Sequence, residues 1–266
     1  MKNVLVLVHD DAGQEARLQA AFDLTRALGG HLTCLDVAVA PPPVIAVDDF
    51  GMTATAIADA REKESANRAR LEPRILAEQI PFDWVETLGF LSPSIREAAG
   101  LADVVVLNRA LDAPYPDMRE VVGAVLLDGG KPIVAVPEGA RGFEVFGHAL
   151  VAWDGSPQAE AALQAAVPLL QLAREVTILE VDDGSIKLPA TNAATYLSRH
   201  GVEPAVRREA SMIDLPSTLL LDAIENLAAN YLVMGGFGHS RFVEAAFGGV
   251  TRRMLGECPV PLFLAH

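Results

Sequence analysis

Apolar residues in this chain come in short unbroken runs rather than in alternation with polar ones. Val4-Leu5-Val6-Leu7-Val8, Val104-Val105-Val106-Leu107, Ala149-Leu150-Val151-Ala152-Trp153 and Tyr231-Leu232-Val233-Met234 are the clearest. Such runs, separated by segments of helix length, predict strands buried on both faces, as in a parallel sheet covered by helices. After the first run, the stretch through Leu28 reads as an amphipathic helix, and a second strand follows over residues 32–37.

The pattern occurs twice. Residues 149–154 open a second copy, with a helix through Leu172 and a strand over 176–181. Both first helices contain Leu-Gln-Ala-Ala, at Leu18 and at Leu163. Later segments match at an offset of 127: residues 102–107 against 229–234, and 131–134 against 258–261. Each copy reads β-α-β-α-β-α-β-α-β. The expected fold is α/β, with two tandem doubly wound (Rossmann-like) domains, each a five-stranded parallel sheet with flanking helices. The domains are placed at 1–138 and 145–266, joined through Pro137-Glu138-Gly139-Ala140-Arg141-Gly142. One asymmetry is Ala40-Pro41-Pro42-Pro43, which continues neither strand nor helix and opens a polar loop through Gly51. A long helix over about 53–79 follows, its Arg61, Glu62, Lys63, Glu64, Arg68 and Arg70 forming a solvated face.

Composition narrows the function classes. The formal charge of −14 opposes sequence-independent nucleic-acid binding, which needs a basic face. No apolar run is long enough to span a bilayer, and since the first residues lead straight into a strand, no signal peptide is expected. With two distant cysteines, Cys34 and Cys258, the expectation is a cytoplasmic protein with reduced thiols.

The candidate chemistry lies after the run ending at Met234. Gly235-Gly236-Phe237-Gly238 is followed by nine residues, then Gly248-Gly249-Val250-Thr251 at a helix start. A strand emptying through a glycine loop into a helix presents backbone N–H groups to a phosphate. In a doubly wound sheet the crevice opens at the carboxyl ends of strands one and four, so Asp154 and Gly235 should meet there. Gly235 and Gly238 would admit ribose and phosphates close to the backbone. Gly248, Gly249 and Val250 would aim N–H groups along the last helix, with Thr251 as a hydroxyl donor or cap. His239 could reach a ribose or phosphate and Arg241 could offer a bidentate phosphate contact; the alternative is that both sit on a solvent-facing loop, the favoured reading for Arg241. A plainer reading stands beside this one: Asp154-Gly155-Ser156-Pro157 is a turn with Ser156 capping a helix, and tight loops need glycine.

Other constellations carry less. His31-x-x-Cys34 lacks a second ligand pair, His9-Asp10-Asp11 reads as a polar turn, and Asp48-Asp49 and Asp182-Asp183 read as solvated loops. No P-loop lysine motif and no hydrolase ordering of Ser, His and Asp occurs.

Taken together, Ala152-Trp153-Asp154-Gly155-Ser156, the spacing Gly235-x-x-Gly238 … Gly248-Gly249 and the closing helix and strand resemble the universal stress protein family in its tandem form. The resemblance covers nearly the whole chain; the glycine motif occurs once. It departs at Gly249, where the family has Ser or Thr. In the first half Asn108, Leu111, Val121 and Val122 fall opposite Gly235, Gly238, Gly248 and Gly249, so that copy reads as blank. The resemblance implies a stress-response or regulatory module that binds ATP, with or without Mg²⁺, or ADP or AMP, in its C-terminal domain, with slow hydrolysis at most. By the same resemblance Asp154 contacts adenine or ribose, and Ala152, Val181 and Met234 line the base pocket. It also implies an intramolecular pseudo-dimer through residues 133–136 and 260–264, compatible with further homodimerisation. The alternative is a nucleotide-free interaction protein of the same fold.

Overall fold

The unbroken apolar runs become the inner strands of one ten-stranded sheet. A computed structural model describes residues 1–39, 50–109, 118–184, 186–210, 215–237 and 249–266. In the first half, β1 (Asn3–Val8) lies between β2 (His31–Val39) and β4 (Val104–Asn108), with β3 (Phe82–Gly89) outside β2 and β5 (Ile133–Val136) beside β4, all parallel. The second half repeats this order. There β6 (His148–Trp153) lies between β7 (Glu175–Asp182) and β9 (Tyr231–Gly235), flanked by β8 (Ala205–Ala210) and β10 (Leu262–Ala265). Strands β5 and β10 pair antiparallel, Val134 level with Phe263, so each covers the other's open edge.

Helices cover both faces, and alternate residues of each strand feed two apolar layers. Val4, Val6 and Val8 pack with α1 (Gln14–Leu28), while Leu5 and Leu7 face the layer holding α3 (Leu91–Ala98) and α4 (Met118–Gly123). In the second half α5 (Pro157–Leu170) and α6 (Ala190–Arg199) lie on the first face. Helices α7 (Pro216–Asn226) and α8 (Gly249–Glu257) lie on the second. Helix α2 (Phe50–Ala77) is the long helix foreseen, but it starts at Phe50, so Gly51 is helical rather than in the loop. Residues 40–43 and 48–49 lie outside the described residues.

Register corrects the internal alignment. Val105 is level with Ile133, and Leu232 with Leu262. The offset is therefore 127 at the fourth strand but 129 at the fifth, so the second half carries two more residues between them. Pro132 and Pro261 are the true counterparts, since their carbonyls accept from Val105 N and Leu232 N. Matching Lys131-Pro132 to Cys258-Pro259 chose the wrong proline, and the last strand starts at Leu262, beyond both prolines, neither of which can donate to a ladder. At offset 129 Val121 and Val122 stand opposite Val250 and Thr251, not opposite Gly248 and Gly249. They are buried core residues of α4.

Candidate functional site

β6 and β9 are hydrogen-bonded neighbours, and their carboxyl ends open a crevice where strand order reverses. The first wall is a turn. Asp154 follows β6, its Oδ1 accepts from Ser156 N at 2.9 Å, and Ser156 Oγ accepts from Ala159 N at 3.2 Å to cap α5. Pro157 is the first residue of that helix, where a missing N–H costs nothing. Gly155 sits at φ +71°, and a Cβ there would come within 2.1 Å of Leu188 N, so only glycine fits. The plainer reading of Asp154-Gly155-Ser156-Pro157 is thus correct as geometry. It also aims Asp154 at the crevice.

Into this crevice a cavity of about 220 Å³ opens. Ala152 reaches it from β6 and Asp154 from the turn after it, Val181 from β7, Met234 and Gly235 from β9, and Gly249, Val250 and Thr251 from the start of α8. Eight of the eleven residues picked from the sequence therefore share one cavity; Gly238, His239 and Gly248, with Arg241, lie outside the described residues. Leu179, Leu220 and Pro216 add apolar wall, and Gln158 and Asp183 add polar groups. Asp183 was read as a solvated loop; its place two residues beyond Val181, at the carboxyl end of a strand flanking the crevice, was the available signal.

The glycines divide by role. A Cβ on Gly235 would lie 2.6 Å from Ala159 N and 2.6 Å from the carbonyl carbon of Gln158. Close packing of β9 on α5 therefore demands this glycine, independently of any ligand. The first half solves the same contact in reverse. Asn108 stands at the equivalent strand position, and Gly13 on the facing segment leaves room, its missing Cβ 3.6 Å from Asn108 Cβ. Gly249 is different: a Cβ there meets nothing within 4 Å. It opens α8 beside the cavity, where the first N–H groups of the helix have no partner within it. Thr251 is buried, and its hydroxyl accepts from Phe237 N at 3.4 Å. It thus ties α8 to the backbone leaving β9, where Phe237 adopts φ +62°.

At the equivalent strand ends of the first half the described side chains are bulkier. Leu7 occupies the position of Ala152 and is buried with Val37, Leu107, Met118 and Val121. His9, in the place of Asp154, instead turns to Glu64, its Nδ1 3.3 Å from Oε1. Asp11 receives the buried Arg17 guanidinium at 3.0 Å, and Arg17 also donates to the carbonyls of Leu7 and His9. His31 and Cys34 do not converge: His31 Nε2 lies 2.9 Å from Asp83, while the Cys34 thiol is in the core, its pKa pushed up to about 12 by burial. Both cysteines are buried free thiols. Arg109, following β4, donates to the Cys258 carbonyl at 2.6 Å and so holds the far end of α8 from the other half of the chain.

No protein-family model matches the chain, and no curated protein matches its sequence. Solved structures do. A universal stress protein from Archaeoglobus fulgidus DSM 4304 aligns over 99% of this chain and 97% of its own, with a TM-score of 0.76 at 19% identity. A functionally unknown protein from Pseudomonas aeruginosa PAO1 aligns over 100% of this chain and 92% of its own, at TM-score 0.61 and 13% identity. No described helix is long and apolar enough to cross a membrane. Strand order, the repeated half and a likeness running from one end to the other agree: this chain has the universal stress protein fold in its tandem form.

Proposed function

We propose that the chain binds one adenine nucleotide, ATP or a relative, in the crevice of its second half, and that binding makes it a regulatory module in stress responses. The observation that carries this reading is the convergence of Ala152, Val181 and Met234 with the opening residues of α8 on one cavity. Its apolar walls suit a flat base. The N-terminus of α8 offers N–H groups that the helix itself does not use, and a favourable dipole, to a phosphate. Asp154 uses Oδ1 in its turn and Oδ2 is not engaged there, which suits acceptance from ribose hydroxyls.

Leu7 in place of Ala152 and the buried Met118 support one site per chain, residues 145–266 forming the binding domain and residues 1–138 its structural partner. The antiparallel β5–β10 pair supports an intramolecular pseudo-dimer, and homodimerisation and a cytoplasmic setting belong to the same proposal. The described lining holds Asp154 and Asp183 and no lysine or arginine, so Mg²⁺ accompanying ATP offsets like charges there. Titration calorimetry of the full chain with ATP, ADP and AMP, with and without Mg²⁺, tests the reading. Saturable binding at one per chain is expected. No heat and no thermal shift with any of the three would leave the nucleotide-free interaction protein as the better account.

A further inference from the structure

Beneath α2 the two halves part company. Val8 is level with Asp36 and Trp153 with Glu180, so these two acids hold equivalent positions on β2 and β7. Each is level with a residue of the edge strand: Glu180 with Arg208, but Asp36 with Glu86. Glu180 is doubly satisfied. Arg208 Nε stands 2.9 Å from Oε1, and Oε2 accepts from Ala190 N at the start of α6. Asp36 has neither partner. Helix α2 begins at Phe50 and runs past the strand ends, so it lays Glu64 over Asp36 instead of presenting its first turn.

Asp36 and Glu64 are 2% and 7% exposed, and both line a cavity of about 450 Å³ with Arg61, Ser65, Glu86 and Thr87. Asp36 Oδ1 and Glu64 Oε2 are buried and receive no donor. Among the described residues, the charged groups around the pair are few. His9, beyond β1, stands against Glu64, and Arg68 of α2 is held by Glu86 of β3 at 2.5 Å. Arg61 lies exposed on the cavity wall, and Arg70 pairs with Asp10 outside it. Among the described residues no group of His, Cys, Asp and Glu is arranged to hold a metal ion. Two touching buried carboxylates repel strongly unless a cation lies between them. One proton held between them removes one of the two charges.

We infer that Asp36 and Glu64 share one proton, and that the shared proton is a pH-sensitive latch holding α2 on the sheet. Asp36 is the acid and Glu64 the acceptor, with His9 steadying the Glu64 charge. Burial first, then the charge and hydrogen bond of Glu64 and the charge of Glu86, push the Asp36 carboxyl up to about 7, with His9 opposing. Because the folded value lies above the unfolded one of ~4, the folded state holds the extra proton between them. The latch's stabilisation is therefore full below ~4, is lost as pH rises through about 7, and is flat above.

Infrared difference spectra of the full chain between pH ~6 and ~8 should show a protonated-carboxyl band that disappears on raising pH and is missing from Asp36→Asn. Hydrogen exchange of the α2 amides over residues 57–67, corrected for intrinsic rate, should quicken about tenfold across that interval in the wild type and by less than about twofold in Asp36→Asn. Glu64→Gln should also remove the band's pH dependence in this range. An unchanged wild-type infrared band would overturn the latch without recourse to any variant, and so would equal quickening in wild type and Asp36→Asn.

Discussion

Replacing Gly249 with Asp separates phosphate recognition from folding, because its effects on the two have opposite signs. Gly249 begins α8, has no left-handed φ, and a Cβ there meets nothing within 4 Å. The substitution is therefore accommodated without repacking. An acid in the first turn of a helix stabilises it by about 0.3–1 kcal/mol, and removing glycine adds a few tenths more. For a chain of this size that raises Tm by about 1–3 °C. Binding responds the other way. A carboxylate ~4–6 Å from a bound phosphate, at an effective dielectric near 20, costs ~3–4 kcal/mol. That is roughly 150- to 900-fold in affinity. Adenosine, which carries no charge, should lose less than about threefold. Calorimetry with ATP, AMP and adenosine, beside a thermal melt, reads all of these. Equal losses for ATP and adenosine, or an ATP affinity that did not change, would refute the assignment of the α8 N-terminus to phosphate.

Gly249→Ser adds a hydroxyl beside the cavity and should tighten ATP about 10- to 150-fold, with adenosine unchanged, in the same titration. Gly235→Ala drives a methyl into the backbone of α5 and should destabilise the fold by ~1–3 kcal/mol, seen as a lower denaturant midpoint with or without nucleotide. Asp11→Ala strands the fully buried Arg17 guanidinium and should cost ~3–5 kcal/mol in equilibrium unfolding. Ser156→Ala removes the cap of α5 and should cost ~1 kcal/mol by the same measurement.

Much of the architecture was legible because fully buried strands write themselves as unbroken apolar runs. The runs at Val4, Val104, Ala149 and Tyr231 all became inner strands. The Asp154-Gly155-Ser156-Pro157 turn was legible too, since capping and positive φ are local demands. Matching the halves by Pro132 and Pro259 went two residues astray, because strand register is set by cross-strand hydrogen bonds that a sequence alignment does not see. Gly235 looked like a ligand glycine, yet its neighbour is the backbone of Gln158 and Ala159, far away in sequence. Asp36 and Glu64 were invisible as a pair for the same reason: Glu64 read as one more charge on a solvated helix face, and only the packing of α2 turns it inward.

Photo-crosslinking the full chain with an azido-adenine nucleotide and mapping the labelled peptides tests the central claim most directly. The account predicts one label per chain, competed by ATP and confined to peptides around Ala152, Val181 and the start of α8. Labelling around Leu7 and Met118 in the first half, or two equivalents per chain, would contradict it.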